Sequence, residues 1–178
     1  MFGPEEPGEP FEEFYLATAE QVVRVITRMA AGNSHLGEEI SQQAYVAMLE
    51  CWPKRRHASQ EDNRRYVIGI AAKKLADWYR RLRDWDAIDD ENDCPAVDPG
   101  FDKVLNELSV FKAVRDLIEQ QPAHRRSVGV LYFVEEWPYQ EIAEALAISE
   151  STVRTQIERL RGHLKPLIHQ LYGGGERS

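Results

Sequence analysis

Residues 138–164 read PYQEIAEALAISESTVRTQIERLRGHL, which is the pattern of a helix, a tight turn and a second helix. In the first helix Ile142, Ala143 and Leu146 share one face. Ser149 is a good N-cap ahead of a second periodic run. That run sets Val153, Ile157, Leu160 and Leu164 on one stripe, spaced four, three and four. The opposite face carries Ser151, Thr152, Arg154, Thr155, Glu158, Arg159 and Arg161. Two short helices meeting at a small-residue turn, the second polar and basic outside, suit insertion into a DNA major groove. There Arg, Thr and Ser reach phosphates and base edges. Any amphipathic helical hairpin shares this periodicity, so the pattern alone leaves both readings open.

Outward from this stretch the chain reads as helical throughout. The spacing predicts helices near 11–31, 36–52 and 62–84, then near 105–120, 124–135, 138–146 and 150–171. Pro53 is expected to end the second helix, and Pro122 and Pro138 to sit at helix starts. Between the two blocks lies an acidic stretch with Pro95, Pro99 and Gly100 and no helical period. The expected architecture is therefore all-α: two small helical domains, the C-terminal one a helix-turn-helix, joined by an acidic flexible linker. The expected bounds are 1–85, a linker over 86–104, a second domain over 105–172 and a disordered tail over 173–178.

Charge supports the same division. The net charge of −8 argues at first against a nucleic-acid partner. Residues 1–85 hold 12 Lys+Arg against 13 Asp+Glu, and residues 108–178 hold 9 of each. Residues 86–107 hold 1 against 8, so nearly all the excess sits in one segment. Both flanking blocks can present basic faces, as suits a protein that reaches DNA mainly within a larger complex.

Several classes are expected to be absent. No apolar run approaches the ~18 residues of a membrane span, and the acidic, breaker-rich start does not read as a signal peptide. Cys51 and Cys94 have no metal-ligand spacing, and reduced thiols are the default. His163 and His169 are six apart, wrong for a shared helical metal face. With no phosphate loop, nucleophile elbow or ligand cluster, no catalytic residues, metal or cofactor are expected, and the chain does not read as an enzyme. Trp52 and Trp137 are expected in the core, given their apolar neighbours.

The segment Gln121 to Leu164 resembles the C-terminal DNA-binding region of bacterial extracytoplasmic-function (ECF) sigma factors. Gln-Pro-Ala-His-Arg-Arg at 121–126 stands where that family has Leu-Pro-x-x-x-Arg. Leu131-Tyr132-Phe133-Val134-Glu135 is similar to its apolar helix. Tyr139-x-Glu141-Ile142-Ala143-Glu144-x-Leu146 and Ser149-x-x-Thr152-Val153-Arg154-Thr155 resemble its most specific signature, and Arg159-x-Arg161 its late basic pair. The chain departs at the turn, where Ala147 replaces the usual Gly. If that residue is left-handed, alanine there costs about 1–2 kcal/mol.

The N-terminal half resembles the same family more loosely. Phe11-Glu12-Glu13-Phe14-Tyr15 opens a helix as its first region does. Glu38-Glu39-Ile40-x-Gln42-Gln43-x-Tyr45-Val46 resembles Glu-Asp-Leu-x-Gln-Glu-x-Phe-Leu, with Glu39 for Asp and Gln43 for Glu. Arg65-Tyr66-Val67-x-x-Ile70-Ala71 through Asp77-Trp78-x-Arg80-Arg81 resembles its promoter-melting and −10 helices, with Ala72-Lys73 for Arg-Asn. The resemblance implies that Glu38, Glu39, Gln42 and Gln43 dock on the clamp helices of core RNA polymerase. It implies −10 contacts or melting by Arg65, Tyr66, Lys73, Lys74, Asp77, Trp78, Arg80 and Arg81. Tyr66, Trp78 and Tyr79 interleave with these cations, and aromatics on a basic surface can catch unstacked bases. A solvated basic helix packed by its own aromatics would read the same.

The expected function is that of an ECF-type sigma factor, bringing core RNA polymerase to promoter DNA through −10 and −35 elements. An anti-sigma protein as partner, a cytoplasmic location and no membrane insertion go with that resemblance. The alternatives are a stand-alone helix-turn-helix regulator with a helical sensor domain, and an adaptor that kept the fold without binding DNA. A sensor domain has no reason to carry the basic-aromatic block at 64–83, and an adaptor no reason to keep Arg154, Arg159 and Arg161.

Overall fold

A computed structural model of the chain describes residues 8–83 and 107–172. Among them there are helices and turns and no strand. The helices are α1 Phe11–Met29, α2 Ser34–Arg55, α3 Gln60–Arg81, α4 Glu107–Glu119, α5 Ala123–Gly129, α6 Tyr139–Leu146 and α7 Glu150–Tyr172. A π turn over Val130–Val134 prolongs α5. The expected acidic linker and tail lie outside the described residues. The chain divides into two compact units between Leu75 and Ala76, inside α3.

In the first unit α1 buries Phe14, Val22, Val25, Ile26 and Met29, and α2 buries Ile40, Ala44, Tyr45, Met48 and Trp52. These are the apolar positions of a 3.6-residue period, and their burial drives the two helices together. Phe14 and Trp52 stack with ring centroids 4.9 Å apart. The Thr18 hydroxyl donates to the Phe14 carbonyl at 2.7 Å and also meets the Tyr45 hydroxyl at 2.8 Å. Burial pushes the Tyr45 phenol up to about 12, so this contact stays uncharged at working pH. The Asn33 side chain caps α2 by accepting from the Leu36 N–H at 3.1 Å.

Pro53 does not end α2, which runs on to Arg55. Proline removes only its own N–H and already has a helical φ. The Arg56 N–H still bonds the Trp52 carbonyl at 2.9 Å, so the last turn closes behind it. The turn into α3 is fixed by Asn63, which is buried. Its carbonyl accepts from Arg55 Nε at 3.0 Å and its amide donates to the Arg55 carbonyl at 3.1 Å.

The second unit is a cluster of helices around α7. Ile118, Val128, Leu131, Ile142, Leu146, Val153, Ile157 and Leu160 are all fully buried. The stripe read at 153, 157, 160 and 164 is the face that packs inward. Trp137 is buried as expected. The expected single helix over 124–135 is instead α5 followed by the π turn, in which the Glu135 N–H reaches back to the Val130 carbonyl at 3.1 Å. The wider turn lets the adjacent Val130 and Leu131 both reach the core.

Candidate nucleic-acid and polymerase interfaces

The turn between α6 and α7 is built by backbone chemistry. Ala147 is left-handed, with φ 53° and ψ 48°. The Ala147 N–H bonds the Glu144 carbonyl at 3.3 Å, and the Ile148 N–H bonds the Ala143 carbonyl at 3.0 Å. This pair of bonds is a Schellman ending, which normally takes glycine. Ser149 then caps α7, its hydroxyl accepting from the Thr152 N–H at 3.1 Å. Alanine keeps the turn but carries the strain of a left-handed Cβ. Ala147→Gly is therefore expected to raise stability by about 1 kcal/mol. Thermal unfolding checks it, and an unchanged or lowered midpoint would contradict the strain argument.

On α7 the outward residues fall where the period puts them. Ser151, Arg154, Thr155, Glu158, Arg159 and Arg161 are exposed and Thr152 is half-buried. Arg154 and Arg161 each lie near an aromatic ring. The Arg154 guanidinium sits 5.8 Å from the centre of the Tyr139 ring. Arg161 donates to the Tyr132 hydroxyl at 2.9 Å and lies 5.6 Å from that ring's centre. The face thus presents hydroxyls and cations, the groups that bind phosphates and base edges.

Four buried polar residues of this unit take a role that the sequence does not announce. Gln156 is 4% exposed, on the inward side of α7. It accepts from Arg125 Nε at 3.0 Å, and Arg125 also donates to Gln121 Oε1 at 3.2 Å. Arg126 donates to the Gln121 carbonyl at 2.7 Å. The basic pair at 125–126 is therefore internal wiring that ties α7 to the start of α5, and not part of the outer surface. The only sequence signal is a Gln beside Ile157 on an otherwise apolar face.

On α3 the predicted residues divide. Tyr66, Lys73, Asp77 and Arg81 are exposed, at spacings of seven, four and four along one helical side. Arg65, Lys74, Trp78 and Arg80 are half-buried. Arg55 places its guanidinium 3.9 Å from the Tyr66 ring centre, so one face of that ring is already covered. Arg80 pairs with Asp77 at 3.0 Å and donates to the Leu146 carbonyl within the second unit. Tyr79 does not join the exposed aromatics. It is 7% exposed, and its hydroxyl accepts from Arg126 at 2.9 Å. An aromatic one residue past Trp78 necessarily turns to a different side of the helix.

On α2, Glu38, Glu39, Gln42 and Gln43 are all exposed. Gln43 donates to Glu39 Oε1 at 3.4 Å, one turn away. Val46 and Leu49, 63% and 52% exposed, continue the side begun by Glu39 and Gln42. The sequence by itself gives this apolar pair no role. An exposed apolar side joined to acids and amides is the composition of a protein-binding surface. Among the described residues no group of His, Cys, Asp and Glu could hold a metal ion, and no helix is long and apolar enough to cross a membrane.

Comparison with known proteins agrees with this geometry. A family profile described as Sigma-70, region 4 matches residues 111–164, which include α6 and the outward face of α7. The chain is 23% identical to the ECF RNA polymerase sigma factor SigE of Mycolicibacterium smegmatis, over 87% of this chain and 60% of that protein. It therefore spans less than two thirds of that relative's length. It is 26% identical to the ECF RNA polymerase sigma factor SigX of Bacillus subtilis, over 75% of this chain and 73% of that protein. It is 27% identical to the RNA polymerase sigma factor CarQ of Myxococcus xanthus, over 92% and 91%. These likenesses run through both units and not through the helix-turn-helix alone. Residues 111–164 thus match the Sigma-70, region 4 family, and most of the chain is similar to proteins described as RNA polymerase sigma factors.

Proposed function

We propose that the chain binds core RNA polymerase and directs it to promoters by reading −10 and −35 elements. The observation that carries this is α7, which buries Val153, Ile157 and Leu160 while exposing Arg154, Thr155 and Arg159 after a Schellman turn. In this reading residues 1–85 dock on polymerase and engage the −10 element, 86–104 act as an acidic linker, 105–172 read the −35 element and 173–178 form a tail. The −10 surface is Arg65, Tyr66, Lys73, Lys74, Asp77, Trp78, Arg80 and Arg81. The two half-affinities combine through tethering. A cytoplasmic location and control by an anti-sigma protein complete the proposal. Reconstitution with core polymerase, followed by sequencing of transcript 5′ ends, tests it. Enrichment of starts behind a shared pair of elements is expected. Binding to DNA without any effect on polymerase would favour a stand-alone regulator.

Polymerase docking has its own test. Glu39, Gln42 and Gln43 share one exposed side of α2. Glu39→Lys should weaken core-polymerase binding roughly tenfold, since like charge across an interface disfavours the complex. Binding of the free chain to −35 DNA should be unchanged. Loss of both activities would point to unfolding and remove Glu39 from the interface.

A further inference from the structure

Two of the three arginines of α7, Arg154 and Arg161, lie against rings on other elements. Tyr132 belongs to the π turn and Tyr139 opens α6. Their ring centres are 5.5 Å apart. Tyr132 accepts from Arg161 at 2.9 Å and also lies under its guanidinium. Tyr139 meets the Arg154 guanidinium with its ring. The backbone explains why Tyr132 is in reach. A Cβ on Gly129 would be 3.0 Å from Leu160 Cδ1 and 3.0 Å from Ile118 Cγ2, so the chain entering the π turn lies tight against α7. Arg161 follows Leu160, and Tyr132 follows Gly129 by three residues.

We propose that Tyr132 is a positioning residue for promoter contact, holding Arg161 with one N–H spent on its hydroxyl and the others aimed at DNA. This deepens the proposed function and rests on it. A guanidinium carries five N–H donors, so one bond to tyrosine leaves enough for a bidentate contact with a phosphate or a guanine. A long side chain that is already ordered loses less freedom when it binds. The ring, 5.6 Å from the guanidinium carbon, adds a cation–π attraction. The π turn would thus serve DNA binding from outside the helix-turn-helix, by setting the reach of a side chain within it.

The test is a double-mutant cycle on promoter binding by the full chain assembled with core polymerase. The probe is a duplex carrying a promoter recovered by the transcript mapping above. Tyr132→Phe keeps the ring and removes the hydroxyl. It should weaken binding roughly three- to tenfold. Arg161→Ala should weaken it at least as much and lower the salt slope by about one counterion. The double variant should bind no more weakly than Arg161→Ala alone, because the hydroxyl acts only through that arginine. Losses that multiply, wild-type binding by Tyr132→Phe or wild-type binding by Arg161→Ala would each overturn the proposal. A lowered melting midpoint of Tyr132→Phe that accounts for the whole binding loss would also overturn it. If the wild-type holoenzyme itself fails to start at discrete promoters, the function reading fails first, and that result is distinct from any outcome of the cycle.

Discussion

Replacing Gly37 with alanine is expected to destabilise the N-terminal unit by about 1–3 kcal/mol, the range for overfilling a packed contact. Gly37 lies in the first turns of α2, where they cross α1 at Thr27. An added Cβ would stand 2.2 Å from Thr27 Oγ1 and 2.9 Å from Thr27 Cα. Alanine has the better helix propensity, by about 1 kcal/mol. The overlap outweighs that gain because a backbone atom cannot rotate away as a side-chain end could. Thr27→Ala in the same chain should restore part of the loss, by removing the hydroxyl oxygen while the backbone of residue 27 still crowds the new methyl. Gly162 supplies the opposite case. It is an exposed helical glycine, and a Cβ added there would meet nothing within 4 Å. Gly162→Ala should therefore stabilise by roughly 0.5–1 kcal/mol. Thermal unfolding of the full chain reads both, at about 4–8 °C per kcal/mol for a unit of this size. A stabilising Gly37→Ala would mean that the two helices part more easily than the crossing suggests.

The contrast between these glycines also marks what a sequence can show. The stripe at Val153, Ile157, Leu160 and Leu164 is legible because burial of one helical face imposes its own period. The Ser149 cap and the strain at Ala147 are legible because both depend on a few neighbouring residues. Other features depend on partners far along the chain. Arg125 and Gln156 are 31 residues apart, and only the packing of α5 on α7 makes them a buried pair. Tyr79 reads as a surface aromatic until Arg126, 47 residues on, claims its hydroxyl. Pro53 reads as a stop, although proline near a helix end gives up a single bond. The π turn has no local signature at all: Val130 to Val134 read as ordinary apolar helix, and the extra residue answers the shape of the core. The exposed side of α2 is legible as motif residues, whereas Val46 and Leu49 join it only through their exposure in the folded chain.

Arg159→Ala is expected to weaken binding to the −35 element by about 1–3 kcal/mol if the side chain reads a base, and Arg154→Ala by a similar amount. Arg159 is exposed on the outward side of α7, one residue before the buried Leu160. It makes no ion pair or hydrogen bond among the described residues, so its removal leaves no buried partner behind. Among the described residues Arg154 lies near the Tyr139 ring, its guanidinium 5.8 Å from the ring centre. Neither substitution should change the unfolding midpoint by more than the ~0.5 kcal/mol typical of surface positions. The kind of contact then shows in the pattern of loss. A base contact relaxes preference at one position of the element and spares the others. A phosphate contact weakens all sequences about equally and lowers the salt slope by about one. The measurement is a titration of wild-type and variant chains against the element and against its single-base variants, at several salt concentrations. If Arg159→Ala binds every duplex as the wild type does, α7 meets DNA through a different side, and the outward face defined by Val153, Ile157 and Leu160 is not the reading face.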